Sequence, residues 1–345
     1  MGLYDPLAEA FVLVTAMPPT VGHIALIEFA SIVAPTTVIV TTQPHEPYPR
    51  ERFEAISLYF KGNPRVTVKW FNKPLPQDPA TPMFKEMWRD LMTQKFFFCE
   101  GDYIVASEPY GQWLADMCKG QFLPYDIPRD FSPARASNCR LDPARHWDEI
   151  LPEFRPVLET RVTFFGAESV GKTTLSKQVA EWLGGTWIPE YARPYLETVG
   201  NEITDEKMVN IWKGQCALQE QAFRAARKPI LIQDTDLWST VGYYGLYDPQ
   251  SMPQGLVEDA MQTKSDLYVI LSVDDVPFEP DPLRYGGHQR ESDDAYWISL
   301  CERYGLNYVV VKRDRKTRYG QAVQEVVNVA KAKLATMRFE REAND

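Results

Sequence analysis

Gly166-Ala-Glu-Ser-Val-Gly171-Lys172-Thr173-Thr174 fits the spacing GxxxxGK[ST]. It follows the β-branched and aromatic run Arg161-Val-Thr-Phe-Phe165 and leads into the amphipathic segment Thr174 to Leu183. Strand, loop and helix in that order are the context the spacing requires, so the stretch predicts a phosphate-binding loop on a parallel α/β sheet. Gly166 and Gly171 let the backbone curl until successive N–H groups, and the positive end of the next helix, face an anion. Lys172 then reaches the β and γ phosphates of ATP or GTP, and the Thr173 hydroxyl ligates Mg²⁺. Ser169 and Thr174, inside and just after the loop, join the ATP-binding candidates.

Outward from this loop, the chain divides. At 345 residues it exceeds one typical core, and the loop sits almost at its middle, so the preceding residues need a fold of their own. A hydrophobic content of 44% suffices to bury two cores. The expected division is near Pro156, giving domains 1–156 and 157–345. A net charge of −10 without a basic block argues against sequence-independent nucleic-acid binding. The five cysteines are scattered, odd in number and without a CxxC pair, which fits reduced thiols in a cytoplasmic protein. No apolar run approaches membrane-spanning length and no signal sequence opens the chain, so no membrane association is expected.

In the first half, strand-like Ala10 to Met17, Thr36 to Thr42, Arg65 to Phe71 and Tyr103 to Ser107 alternate with helical Ile24 to Val33, Glu51 to Phe60, Pro82 to Phe97 and Tyr110 to Lys119. That alternation predicts a doubly wound parallel sheet whose ligands bind at the carboxyl ends of the strands. Thr20-Val-Gly22-His23 lies at such an end. It resembles the (H/T)xGH motif of the nucleotidyltransferase superfamily, a Rossmann-like fold. The resemblance implies that Gly22 admits ATP phosphates, that His23 contacts them and stabilises the transferring α-phosphoryl group, and that Thr20 donates a hydrogen bond. Read from the residues alone, His23 also suits the start of a helix as a cap. The fuller family pattern GxFxPxHxGH is matched only at Pro18, Gly22 and His23; Val14, Ala16 and Thr20 depart from it.

Ala134-Arg135-Ala-Ser137-Asn-Cys-Arg140 is the nearest match to the late ISxTxIR motif of nicotinamide-nucleotide adenylyltransferases. Arg135, Ser137 and Arg140 are accordingly triphosphate candidates, with a solvated loop as the alternative. Trp88 stands where the resemblance places an aromatic that stacks on nicotinamide, and Ser107-Glu108 where it places a ligand-lining serine and glutamate; at helical spacing Trp88 is equally a core residue.

The second half offers Glu190-Tyr191-Ala-Arg193 at the end of a strand, a cluster suited to a nucleoside's hydroxyls and ring, or to a surface ion pair. Pro229 to Gln233 is an apolar strand ending in Asp234-Thr-Asp236. Carboxylates there can hold Mg²⁺ or take the proton of an attacking hydroxyl; Asp236 can instead cap the next helix. The Gly/Pro-rich stretch after the strand Ser265 to Val273 reads as a lid, with Arg284 and Arg290 closing on the γ-phosphate.

In this order, behind an adenylyltransferase-like half, GAESVGKTT, IPEYARPYLE, LIQDTDLWST and PFEPDPLRYGGHQR resemble one family, the bifunctional nicotinamide-nucleotide adenylyltransferases and ribosylnicotinamide kinases. The resemblance implies nicotinamide riboside, nicotinamide mononucleotide, NAD and ATP as partners and Mg²⁺ as cofactor. Catalysis would rest on His23 in one domain and on Lys172, Asp234 and Asp236 in the other. Some members carry a helix-turn-helix in front; with the first strand starting near Ala10 none is expected here. Two further readings stay open. One is a nucleoside kinase with an inactive or sensory first domain, and the other is a nucleotide-operated regulator without turnover. A homo-oligomer is compatible with these readings.

Overall fold

A computed structural model describes residues 8–76, 80–226, 228–274, 276–277, 292–312 and 315–337. Arg284 and Arg290, the expected lid residues, lie outside these. The chain divides after Val157 into two compact units, with residues 334–337 grouped with the first.

The first unit is built on β1 (Ala10–Val14), β2 (Thr36–Thr42), β3 (Val66–Asn72), β4 (Tyr103–Ala106) and β5 (Gln121–Pro124). All neighbours are parallel, in the order β3-β2-β1-β4-β5. β1 reads Ala-Phe-Val-Leu-Val and is buried throughout, as a central strand covered on both faces must be. From β1 the chain winds outward through β2 and β3 on one side and through β4 and β5 on the other. The crevice where this direction reverses opens at the carboxyl ends of β1 and β4, and there the helix Val21–Val33 begins.

Three local readings need correction. Pro82 to Phe97 forms an α-helix only over Phe84–Asp90 and continues as a π-helical turn, Leu91–Lys95, closed by Phe96 N–H to Leu91 O at 3.2 Å. β5 escaped the reading because it is short, half-exposed and ends in proline, so it carries no buried apolar run. Ala136–Leu141, for which a solvated loop was the alternative, is a short helix.

The second unit has β6 (Thr160–Phe165), β7 (Thr186–Ile188), β8 (Ile230–Asp234), β9 (Leu267–Leu271) and β10 (Tyr308–Val311), again all parallel, in the order β10-β9-β6-β8-β7. Central β6 feeds the glycine-rich loop and the helix Lys172–Leu183. Thr163, on buried β6, is satisfied beneath the sheet by Ser265, Gln233 and Asp236. A hydroxyl in a parallel core needs such partners.

Just past β2, the Arg52 guanidinium donates to Glu46 at 2.6 Å with neither side chain exposed. The Glu46 carboxylate also accepts the Gln43 N–H at 3.1 Å. Two charges taken out of water survive only as a pair. Arg52→Met should therefore destabilise the first unit by about 3–5 kcal/mol, and adding Glu46→Gln should recover part of that loss. Urea denaturation followed by tryptophan fluorescence measures both; a double variant no more stable than Arg52→Met would show that the ion pair is not the reason.

Candidate functional site

In the first unit a cleft of about 660 Å³ opens at the carboxyl ends of β1 and β4. It gathers every residue the sequence singled out in this half: Thr20, Gly22, His23, Trp88, Ser107, Arg135, Ser137 and Arg140. They come from the end of β1, the end of β4, the helix Phe84–Asp90 and the short helix Ala136–Leu141.

His23 sits in the first turn of its helix. Its Nδ1 lies 3.0 Å from the Thr20 backbone N–H and 2.8 Å from Thr20 Oγ1. A backbone N–H can only donate, so Nδ1 must carry the lone pair, and the neutral ring bears its proton on Nε2. Burial, together with the nearby Arg129 and Arg140 charges, lowers the imidazole to about 4, well below its ordinary value. At neutral pH His23 is therefore an uncharged donor, and the positive charge of the cleft belongs to its arginines. The cap reading and the ligand reading of His23 are compatible, one for each ring nitrogen.

Thr20 departs from its expected part. It is 1% exposed and its hydroxyl is taken up by His23, which leaves it poorly placed to reach a phosphate. Gly22 also has a local reason. A Cβ there would stand 2.9 Å from Ala134 O and 3.4 Å from Ser132 Oγ, so the glycine lets the helix start press against residues 132–134. That contact brings Arg135, Ser137 and Arg140 over the cleft. Arg140 is anchored by its bond to Met17 O at 2.7 Å. Trp88 is half-buried and does two things at once: its indole N–H donates to Pro76 O at 3.0 Å while the ring lines the cleft near Phe84 and Trp113. Arg129 and Trp113 were not read from the sequence, whereas Glu108 stands where the resemblance places a ligand-lining glutamate and does line the cleft. Arg129 belongs to no motif, and helical spacing alone cannot distinguish a lining tryptophan from a core one.

In the second unit the loop turns at three left-handed positions, Gly166 (φ 119°), Ser169 (φ 61°) and Gly171 (φ 89°). This alternation aims backbone N–H groups into one concavity. Lys172 Nζ lies across it, donating to Gly166 O at 3.0 Å and Ala167 O at 2.7 Å. Thr173 and Thr174 are exposed at the start of the helix.

The two acids after β8 differ in kind. Asp234 is 2% exposed; burial raises its carboxyl above the usual range, opposed by a hydrogen bond from Thr173 and by the Lys172 and Arg193 charges. Its Oδ1 has no hydrogen-bond partner among the described residues. A buried carboxylate oxygen beside the Thr173 hydroxyl is the donor pair a hard divalent cation would take. Asp236, in contrast, is saturated. It accepts from Trp238 N–H (3.0 Å), Thr163 Oγ1 (3.1 Å), Tyr268 OH (2.8 Å) and the Ser239 N–H. Burial nevertheless pushes it up to about 6. It caps the helix Leu237–Tyr247, and with all its lone pairs engaged the geometry favours capping over proton abstraction.

Beside the loop a smaller cavity of about 130 Å³ is lined by Lys172, Glu190, Arg193 and Asp236, and by Tyr243 and Tyr247. Tyr191, expected to stack on a ligand, does not line it. Its ring packs instead over Gly214, where a Cβ would come within 2.0 Å, and lies parallel to Tyr195. The aromatic wall belongs to Tyr243 and Tyr247, one helical turn apart with rings 5.7 Å apart and nearly parallel. Their i, i+4 spacing could have been read in GYYGLY, but so regular a pattern also marks an ordinary buried helix face.

Residues 161–318 match the family model described as AAA domain. The chain is 27% identical over 210 residues to the trifunctional NAD biosynthesis/regulator protein NadR of Escherichia coli (strain K12), and 26% over 212 residues to that of Salmonella typhimurium (strain LT2). Each match covers 58% of this chain, which spans about half the length of these curated relatives. Among solved structures, a NadR protein in complex with NR superposes with a TM-score of 0.67 at 19% identity, covering 94% of this chain and 96% of that one. In sequence over part of its length, and in fold, the chain is similar to the NadR proteins. A second NadR structure, in complex with NAD and AMP-PNP, gives a TM-score of 0.65 at 19% identity, covering 97% of this chain and 98% of that one. The NadR fold thus extends over both units. Among the described residues, no helix is long and apolar enough to cross a membrane.

Two expectations follow. The His23 ring should titrate near 4 and show its proton on Nε2 in ¹⁵N-resolved NMR. Since its folded value lies below the unfolded one, its contribution to stability is present above about 6.5 and is lost as pH falls toward 4. Titration near 6.5 in the folded protein would contradict the buried, capped ring. Asp236→Ala removes a cap and strands two buried hydroxyls, so it should cost about 2–4 kcal/mol in denaturant unfolding. A loss under about 0.5 kcal/mol, as is usual for surface substitutions, would return Asp236 to the catalytic candidates.

Proposed function

We propose that the chain is a two-step NAD-salvage enzyme. In the second unit the 5′-oxygen of nicotinamide riboside attacks the γ-phosphorus of ATP, breaking its bond to the β-bridging oxygen and giving nicotinamide mononucleotide and ADP. In the first unit the mononucleotide's phosphate attacks the α-phosphorus of another ATP, forming NAD and releasing pyrophosphate. The observation that carries this reading is a pair of separate cavities, each at the carboxyl ends of its own parallel sheet. Each one combines anion-holding groups with an aromatic wall. The NadR relatives, solved with NR and with NAD and AMP-PNP, support the choice of ligands.

In the phosphoryl step, Lys172 and the loop N–H groups hold the phosphates and neutralise charge, while Glu190 and Arg193 bind the ribose beside the Tyr243–Tyr247 wall. Thr173 and Asp234 would hold Mg²⁺, which would supply positive charge against the phosphates. The transition state is loose, so placement and charge matter more than a strong base, consistent with a saturated Asp236. In the adenylyl step no protein nucleophile is required. His23 donates through Nε2, and Arg135, Ser137 and Arg140 take the departing pyrophosphate.

A second reading, a kinase whose first unit binds nucleotide without turnover, is favoured by one observation: the Thr20 hydroxyl is occupied by His23 rather than directed to a ligand. Chromatography of products from riboside, ATP and Mg²⁺ separates the two, since mononucleotide accumulating without NAD selects the second. Lys172→Ala should lose about 10²- to 10³-fold or more in mononucleotide formation while still making NAD from supplied mononucleotide. His23→Ala should do the reverse. Loss of both steps in either folded variant would refute the assignment of one step to each unit.

A further inference from the structure

We infer that Arg129 is a third anion-gripping guanidinium of the first cleft, set there by an Asp126-closed loop and exchanged from Glu108 to the ATP polyphosphate. This rests on the adenylyl-transfer reading above. Arg129 lies outside both nucleotidyltransferase-like motifs, in the connection that leaves β5.

That connection is tightly determined. Asp126 Oδ1 accepts the N–H groups of Asp130 and Phe131 at 2.9 and 3.0 Å, and Oδ2 accepts that of Ser132 at 2.6 Å. The Asp126 carbonyl accepts the Arg129 N–H at 2.9 Å. These donors, Phe131 foremost, hold the Asp126 carboxyl below its ordinary range. The turn places two residues other than glycine in the left-handed region, Asp126 at φ 45° and Arg129 at φ 65°. An arginine keeps such a conformation only where its surroundings impose it. The far end of the loop packs on the helix start at Gly22, through Ser132 and Ala134. Loop, helix start and His23 therefore share one rigid frame.

The side chain that this frame carries lines the cleft together with His23, Arg135 and Arg140, and its charge helps to keep His23 neutral. Its partner is Glu108, at the end of β4, at an N–O distance of 3.8 Å. That is well beyond the roughly 2.7–2.9 Å of a good charge-assisted bond. The Glu108 side chain is 65% exposed against 23% for Arg129, so the carboxylate is solvated and the guanidinium faces inward. A loose, solvated pair contributes little and is readily given up. A triphosphate offers several charges and bidentate geometry to the same guanidinium. Glu108 thus competes with the nucleotide, and the two residues should respond to substitution in opposite directions.

The test is steady-state NAD formation from nicotinamide mononucleotide and ATP by the full chain. Arg129→Ala should lower kcat/KM for ATP by about 10- to 100-fold, and Arg129→Lys should restore part of it, having charge without the planar fork. Glu108→Gln should lower KM for ATP several-fold. Asp126→Ala, which acts through Arg129 as a positioning residue, should reproduce Arg129→Ala and add little to it in the double variant. Phosphoryl transfer to riboside and thermal melting report on folding. If wild type forms NAD but Arg129→Ala stays within twofold of it, or Glu108→Gln raises KM for ATP, the inference is overturned while the adenylyl reading stands. If wild type forms no NAD, the adenylyl reading fails. Binding of inorganic tripolyphosphate by calorimetry then decides Arg129 by itself: at least tenfold weaker binding in Arg129→Ala supports the grip, and equal or absent binding refutes it.

Discussion

Both units depend on one constraint, that a parallel strand layer gathers its strand ends, and the loops that leave them, on a single edge. In each sheet the central strand is buried on both faces and can offer chemistry only where it stops. β1 stops at Val14 and β6 at Phe165, and residues shortly after them, Thr15, Thr20 and His23 in one unit and Glu168 and Lys172 in the other, line the cavities. The outer strands supply the walls, and the helices contribute first turns with unsatisfied N–H groups.

Under the proposed function the two edges meet the same problem, holding a polyphosphate, by different means. The second unit does it with backbone: three left-handed positions curl Gly166 to Gly171 into a concavity, and Lys172 and Thr173 extend it. Among the described residues of the first unit there is no such loop. It relies on guanidinium groups from separate segments, spaced around an imidazole that burial keeps neutral. A neutral donor among cations avoids adding one more mutually repelling charge, and still offers an N–H to a developing negative charge. The cost of the side-chain solution is that each arginine needs its own support, as Met17 O gives Arg140 and the Asp126 turn gives Arg129.

The aromatic walls illustrate how packing selects among equivalent candidates. Tyr191 and Tyr243 are both tyrosines near a strand end, yet Tyr191 is drawn onto the bare backbone of Gly214 while Tyr243 and Tyr247 stack along one helix face toward the cavity. Asp234 and Asp236 are separated in the same way. Two residues apart in one strand exit, one keeps an oxygen without a partner among the described residues, beside Thr173, and the other is consumed in holding a helix and two hydroxyls in place.

By itself the sequence determined the strand-loop-helix around Gly166, the two parallel-sheet units and the placement of His23 at a strand end, because periodicity and glycine spacing are local and backbone-dictated. It also named two of the arginines, Arg135 and Arg140, and one of the tryptophans, Trp88, that the first cleft assembles, through the resemblance of short motifs. Only the tertiary structure decided which of several suitable groups have their polar atoms already spent, as at Asp236 and Thr20. It alone brought Arg129 and Glu108 together from two different strand ends. Hydrogen-bond saturation and cross-strand proximity depend on contacts between segments far apart in the chain, and no window along it contains them.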